Sequence, residues 1–217
     1  MSPQLVDLLL KGFWETLMMV GLAGGIAVLA GLPLALLLLT TGRGHLCASP
    51  WLNRVLGMVV NATRSTPFII LLVAIVPFTR LIVGSSIGTA AAVVPLAIAA
   101  TAFIARLFEQ ALREVDRGLV EAAQAMGATR RQIILKVLIP EALPGLIAAV
   151  TVTLVSLVGY SAMAGAVGGG GLGDLGIRFG YQRFMPEVMA IVVLSLVLFV
   201  QALQSAGDLL VRRLSRK

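Results

Sequence analysis

Charged residues are scarce in this sequence. Only 12% of its 217 residues are Asp, Glu, Lys or Arg, about half of the roughly 25% typical of a soluble domain. Hydrophobic residues make up 59% and are spread evenly, with no Ser/Pro-rich linker between them, which favours a single domain over residues 1–217. Too few polar side chains remain to cover a large soluble core, so the composition predicts a membrane protein.

Cysteine and histidine are each represented once. Cys47 has no partner for an internal disulfide, and His45 has no nearby residues with the spacing of a metal or catalytic site. No lysine follows a glycine, which excludes the phosphate-binding pattern GxxxxGK[ST]. The apolar runs also lack HExxH and paired carboxylates, against a membrane-embedded enzyme. We therefore expect no catalytic residue, no metal site and no cofactor in this chain.

Long uncharged runs predict five transmembrane helices, because about 20 apolar residues cross about 30 Å of hydrocarbon. The expected spans lie at about 13–39, 54–76, 87–108, 142–167 and 188–210. The second contains Arg64 and Pro67. An arginine at the bilayer centre costs about 2.5–3.5 kcal/mol, so Arg64 should face protein or reach the inner surface. Two interpretations stay open, a structural charge beside a pathway and simple snorkelling.

The positive net charge of +7 is distributed unevenly between the loops. Thirteen of the 17 Lys and Arg residues lie on the same side as the C-terminus, and four lie opposite: Lys11, Arg80, Arg178 and Arg183. This bias predicts an outside N-terminus and a cytoplasmic C-terminus. It also explains the basic composition without nucleic acid.

One compact charged segment, EAAQAMGATRRQIILKVLIPEALP at 121–144, separates the third and fourth spans. Asp116 is placed to cap a first helix, Gly127 to end it, and Thr129–Gln132 to form a capping box that starts a second helix. Pro140 and Pro144 should break or bend the chain as it re-enters the membrane. Two short helices with small alanine side chains suit insertion into a cleft of another protein; the alternative is a plain connector.

The segment resembles the EAA loop of bacterial ABC importer permeases. Glu121-Ala122-Ala123, Gly127 and Pro140 keep that spacing, although Val137 and Ile139 replace the usual Ile and Leu. The stretches RSTPFIILL (64–72), IVPFTR (75–80) and LVGYSAMAGAVGGGGLGDLG (157–176) look like the permease subunit of methionine importers, and the resemblance covers essentially the whole chain.

This resemblance implies an all-α, type I importer permease with five spans per protomer and two coupling helices within residues 116–140. It implies a homodimer, two cytoplasmic ATPase subunits that bind ATP and Mg, and an external substrate-binding lipoprotein. Glu121, Ala122, Ala123, Gly127 and Pro140 would dock on the ATPase subunit. The implied function is methionine import across the bacterial inner membrane by alternating access; a permease for another amino acid or small nutrient is the alternative.

Tyr160, Ser161 and Met163 in the fourth span are our candidates for the substrate path or its gate. A path needs weak, scattered hydrogen-bonding groups that let the substrate leave. Ordinary helix packing, with hydroxyls bonded to nearby carbonyls, is the alternative for each residue.

Two glycine patterns complete the sequence-based expectations. Gly21 and Gly25 form a GxxxG pattern that permits close helix approach. Residues 168–180 should form a flexible outer loop, in which Asp174, Arg178 and Arg183 are candidate contacts for the external binding protein. The GxGxxG at 171–176 has no preceding strand, which excludes a dinucleotide site.

Overall fold

A computed structural model describes residues 3–42 and 48–215, and within these ranges the chain is helical with no strand. The helices are α1 (Pro3–Thr40), α2 (Pro50–Ser65), α3 (Phe68–Ala74), α4 (Val76–Val83), α5 (Thr89–Arg113), α6 (Arg117–Ala125), α7 (Arg130–Ile133), α8 (Ile139–Ala164), α9 (Gly171–Leu175) and α10 (Pro186–Leu214). Three π-helical segments, Ile134–Leu138, Gly165–Gly169 and Gly176–Tyr181, join the later ones. The predicted all-α fold is confirmed. His45 and Cys47 lie outside the described residues.

Four helical stretches in the described part are long and apolar enough to cross a membrane: Gln4–Thr40, Thr89–Arg113, Arg130–Gly169 and Pro186–Leu214. A fifth candidate exists only if α2 and α3 count as one span.

The α2–α3 pair is bent by 107°. The bend follows from Pro67, which has no N–H to continue the helical ladder and forces the preceding residue into extended backbone. Thr66 accordingly has φ −80° and ψ 125°. The second predicted span is therefore a broken helix, and Arg64 lies in the last turn of its first half.

The first helix is longer than the sequence pattern suggested. The first span was expected at about 13–39, but α1 begins at Pro3, runs without a break for 38 residues and includes Pro33 in its interior. Because Trp14 is 60% exposed, it remains on the outer surface of the bundle, where an aromatic ring can sit at headgroup level.

The core lies where α1, α5 and α8 meet. Fully buried residues from all three helices, including Met19, Leu96, Ile104 and Leu157, belong to one apolar cluster. Gly31 allows α1 to lie against α5, since a Cβ there would overlap Ile104. The predicted GxxxG pair behaves differently: a Cβ at Gly21 or Gly25 would have no neighbour within 4 Å. That face is not used for packing within the described chain.

The glycine-rich stretch contradicts its prediction as a flexible outer loop. Residues 165–181 form short helical segments on either side of a turn at 167–171, where Gly168, Gly170 and Gly171 have positive φ, and they fold back against α1 and α8. Gly173 is buried, and a Cβ on it would overlap the backbone of Ala162. Glycine is needed here for close backbone packing rather than for mobility, which is why composition alone misled the prediction.

Side chains of α1 hold this segment in place. A carboxylate oxygen of Glu15 accepts a hydrogen bond of 2.8 Å from the Gly171 N–H. The Thr16 hydroxyl accepts one of 2.9 Å from the Leu172 N–H and donates to the Gly12 carbonyl. These bonds satisfy the first free amides of α9, which would otherwise be buried without partners.

Candidate functional site

The charged segment begins with the predicted cap. Asp116 lies outside the helix, at φ −57° and ψ 126°, and its carboxylate accepts a 2.7 Å hydrogen bond from the Gly118 N–H at the start of α6. An acidic side chain is favoured there, because the first amides of a helix have no backbone partner and carry the positive end of its dipole.

A tight turn ends α6 at the predicted glycine. Gly127 has φ +78°, the left-handed region that other residues disfavour. Its N–H donates to the Gln124 carbonyl at 2.9 Å, and the N–H of Ala128 donates to the Ala123 carbonyl at 3.0 Å. This pair of bonds is the Schellman arrangement, which satisfies carbonyls that the end of a helix leaves free.

The predicted capping box follows the turn directly. The Thr129 hydroxyl accepts from the Gln132 N–H at 3.3 Å, and the Gln132 side-chain oxygen accepts from the Thr129 N–H at 2.8 Å. Both caps are local, so the turn geometry is specified by residues 116–132 themselves.

The second short helix does not stop at Pro140, contrary to the prediction. The helical path runs from Arg130 through the π segment Ile134–Leu138 into α8, and Pro144 lies inside α8. The wider π turn removes the conflict: Ile139 donates its N–H to Ile134 rather than to residue 135. A proline in the next position, which has no N–H to donate, is therefore accommodated without a break.

The exposed surface of this segment is small and smooth. Glu121, Ala122 and Gly127 are exposed, and Met126 is 81% exposed at the tip. Ala123, in contrast, is only 5% exposed and packs in the core cluster that includes Ile133. Among the predicted docking residues, Ala123 therefore supports the surface from below, and the others form it or flank it.

The bent arm α2–α3 touches α8 at one of the predicted path residues. Phe68, at the start of α3, stacks on the ring of Tyr160 with centroids 4.9 Å apart and planes inclined by 10°. Arg64, just before the bend, places its guanidinium 5.9 Å from the centre of the Phe103 ring on α5. The structural charge thus rests against an aromatic face near the surface of the bundle.

The three predicted path residues do not share one face of α8. Met163 is 49% exposed, and it continues an exposed stripe with Val152, Gly159 and Val167 at helical spacing. Ser161 is 1% exposed, and its hydroxyl donates a hydrogen bond of 2.8 Å to the Val158 carbonyl. This is the arrangement expected for ordinary helix packing rather than for a path residue. Only Met163 of the three is openly available to a passing molecule.

A cavity lies between α3, α4, α5 and the end of α8. Its volume is about 20 Å³, and it is lined by Leu72, Val76, Thr79, Ala91, Ala164 and Gly169 among others. One water molecule needs roughly 10–15 Å³ of this kind of volume, so the cavity is far too small for an amino acid. It is not a substrate site in this conformation.

Polar residues within and just after the glycine-rich stretch interact with one another. Arg178 pairs with Asp174, and the guanidinium carbons of Arg178 and Arg183 lie 5.6 Å and 4.6 Å from the centre of the Phe179 ring. Tyr181 is 70% exposed beside them. The predicted contact residues thus form one basic and aromatic surface.

One buried ion network was not predicted from the sequence. Glu109 on α5 is 3% exposed, and its carboxylate oxygens lie 2.6 Å from the guanidinium nitrogens of Arg106 and Arg113. The available signal was the i, i+3, i+7 spacing of RLFEQALR, which places the three charges on one face of a helix. From the sequence, Arg106 and Arg113 were counted only among the Lys and Arg residues on the cytoplasmic side.

Comparison with known proteins defines the class of protein that carries this fold and charged segment. The chain matches the family model of the binding-protein-dependent transport system inner membrane component over residues 27–217. The chain therefore belongs to this family.

Individual relatives narrow the comparison. The chain is 57% identical to a probable D-methionine transport system permease protein MetI of Vibrio cholerae serotype O1, over 97% of this chain and 94% of that one. It is 54% identical to the D-methionine transport system permease protein MetI of Escherichia coli strain K12, over 76% of each chain.

Solved structures support the importer-permease fold. A chain of the MetNI methionine ABC transporter in an inward-facing conformation has a TM-score of 0.97, 52% sequence identity and 99% coverage of both chains. A more distant likeness, to an amino acid ABC transporter with histidines, has a TM-score of 0.79 at 24% identity and supports the fold alone.

Proposed function

We propose that this chain is the permease subunit of an ATP-driven importer for methionine in the bacterial inner membrane. The capped, exposed segment at one end of an apolar helical bundle carries the proposal, since it is built as a rigid contact surface. The relatives and the MetNI transporter, whose names specify methionine or D-methionine, support the choice of substrate. Another amino acid or small nutrient remains the alternative substrate.

The docking surface is the exposed part of residues 116–140. Glu121, Ala122 and Gly127 would contact a cytoplasmic ATPase subunit that binds ATP and Mg, with Pro140 at the edge and Ala123 beneath. Because both ends of α6 are closed by local hydrogen bonds, the segment would move as one body when the partner moves. Such rigidity transmits displacement from the ATPase to α5 and α8, to which the segment is joined directly.

The orientation follows from charge. With α6 and α7 in the cytoplasm, the C-terminus is cytoplasmic and the N-terminus is outside, which agrees with the excess of Lys and Arg on one side. The basic and aromatic surface around Phe179 then faces outward, where an external binding lipoprotein would deliver the substrate.

The path would run along the exposed stripe of α8 and be completed by a second copy of this chain. Val152, Gly159 and Met163 offer an apolar wall without a strong binding group, and Tyr160 borders it from the α3 side. Weak contacts of this kind let an amino acid with an apolar side chain pass without being trapped. Alternating access would open this wall to one side at a time.

Uptake is the direct test of the proposed function. The chain would be expressed with its ATPase and binding protein in a transport-deficient bacterium, and uptake of labelled methionine measured against unlabelled competitors. Saturable uptake inhibited only by methionine-like compounds is expected. Uptake of a different solute would replace the substrate, and a lack of any ATPase-dependent uptake would contradict the permease proposal.

Cysteine labelling tests the path separately. Replacing the single native cysteine, as Cys47→Ser, gives a clean background for Met163→Cys and Gly159→Cys, with Ser161→Cys as the buried control. A membrane-impermeant thiol reagent should label positions 163 and 159 in the assembled transporter, and methionine should slow that labelling. Equal labelling at position 161, or none at 163, would remove the stripe from the path.

A further inference from the structure

The Glu109 network connects α5 to α2, and these two helices have few other contacts. Arg106, held by Glu109, reaches across to α2, where one guanidinium nitrogen donates to the Gly57 carbonyl at 3.3 Å and to the Asn61 side-chain oxygen at 3.1 Å. The third member, Arg113, donates to the other Glu109 oxygen. One buried carboxylate thus orients both arginines, and one of them bridges to α2.

The remaining attachment of α2 is slight. Val60 is its single buried residue in the described chain, and it packs with Leu38 of α1 and Ala102 of α5. Near its start, the Asn53 amide donates to the Leu38 carbonyl at 2.6 Å. Arg64 also lies over the Phe103 ring of α5, but most of α2 is otherwise exposed or half-exposed. The Arg106 bridge supplies hydrogen bonds between the second half of α2 and α5.

From this bridge, α2 leads directly to the candidate path. Asn61 lies one turn before the 107° bend, and Phe68 immediately after the bend stacks on Tyr160. A shift of α2 against α5 would therefore move Phe68 and, through the stacking contact, the Tyr160 ring that borders the exposed stripe of α8.

In the other direction, the network leads to the docking segment. Arg113 is the last residue of α5, and Val115, two residues later, is 8% exposed in the same core cluster. Asp116 then caps α6. The carboxylate of Glu109 therefore lies one turn from the connection to the docking segment, and through Arg106 it also contacts the arm.

Not all hydrogen-bond donors of the Arg106 side chain have a partner in this conformation. The Nε of Arg106 is buried without a hydrogen-bond partner among the described residues, although buried N–H groups are normally paired. The guanidinium is thus held by two of its nitrogens, and a different position of α2 can offer other partners.

We infer that Glu109 and Arg106 are positioning residues that transmit movement of the docking segment to the α2–α3 arm and hence to the path. This inference rests on the proposed function. It predicts that the network sets the number of substrate molecules transported per ATP hydrolysed, and that it contributes little to assembly.

The test uses the complete transporter, with ATPase and binding protein, in proteoliposomes. Methionine uptake and ATP hydrolysis are measured together for the native chain, Arg106→Lys, Asn61→Ala and Glu109→Gln, with the exposed Glu187→Gln as the matched control. Arg106→Lys can keep the charge pair with Glu109, but its single nitrogen cannot replace the two guanidinium nitrogens, of which one bonds Glu109 and the other bonds the acceptors on α2. We expect its transport per ATP to fall at least threefold, with Asn61→Ala affected in the same direction and Glu187→Gln unchanged.

The outcomes separate the two proposals. An unchanged transport-to-ATP ratio in Arg106→Lys and Asn61→Ala would overturn the inference, and so would a loss of assembly in Arg106→Lys, since the bridge would then be structural. Glu109→Gln is read only beside these variants, because it removes the one buried carboxylate that pairs with both arginines and so changes stability as well as the bridge. If the native complex shows no ATP-dependent methionine uptake, the proposed function fails instead.

Discussion

Substitution of Gly127 is the sharpest test of the docking segment. A left-handed backbone costs a residue with a side chain about 1–2 kcal/mol, and Gly127 has φ +78°. A Cβ at this position would meet no atom within 4 Å, so Gly127→Ala introduces backbone strain without a clash inside the chain. Any effect of the substitution must act through the turn or through the partner.

The expected magnitude follows from that strain. If the turn relaxes in the free variant, docking must restore the left-handed geometry and affinity falls by the full 1–2 kcal/mol, about 5-fold to 30-fold. Gly127→Val should bind the ATPase subunit at least as weakly as Gly127→Ala. Gly127→Asn should lie close to the native chain, because asparagine tolerates this backbone region.

The assay is titration of the ATPase subunit onto the permease held in lipid nanodiscs, with Kd as the readout. Gly127→Asp compared with Gly127→Asn isolates charge, because the two side chains have nearly the same shape. We expect Asp to assemble poorly, since it adds an anion to the docking surface beside Glu121. A native-like Kd for Gly127→Ala, or an Asn variant as weak as Val, would refute the role assigned to this turn.

Three further predictions concern packing and capping, each read out by thermal unfolding in detergent. Gly173→Ala should destabilise the chain by about 1–3 kcal/mol or more, because its Cβ would overlap the Ala162 backbone; unchanged stability would mean that the glycine-rich helix can shift freely. Tyr160→Phe should retain the stacking on Phe68, whereas Tyr160→Leu should lower the free energy of unfolding by about 0.5–1.5 kcal/mol. Equal losses of stability in the two variants would contradict a stabilising role of the stacking. Thr129→Ala should cost about 0.5–2 kcal/mol by removing one capping acceptor, with Thr129→Ser as its control; no difference between Ala and Ser would show that the box is dispensable.

Local features of the charged segment were predictable because each depends on a few neighbouring residues. The Asp116 cap, the left-handed Gly127 and the Thr129–Gln132 box all occur within single turns, and the structure contains all three. Pro140 was misread for a related reason. The residue was correctly identified as unable to join the ladder, but the π turn that accommodates it spans the preceding five residues and has no comparable sequence signature.

Features that depend on distant parts of the chain were missed or misread. The glycine-rich stretch read as a loop because glycine is permissive in isolation, and only the proximity of Glu15 and Ala162 shows why glycine is required there. Glu109 was not singled out from the sequence. Its burial is decided by the packing of α5, and the hydrogen bond from its partner Arg106 to Asn61 crosses 45 residues of sequence.

The sequence by itself determined that this chain is a helical membrane protein, where its apolar helices lie, and how the docking segment is capped, because hydrophobicity and capping are properties of short stretches. The tertiary structure decided which face of each helix is free, so that Met163 is exposed while Ser161, two residues earlier, is buried. It also decided that α2 and α3 form a bent arm, which α5 contacts through Arg106, Ala102 and Phe103. These properties come from contacts between helices, which no single stretch of residues contains.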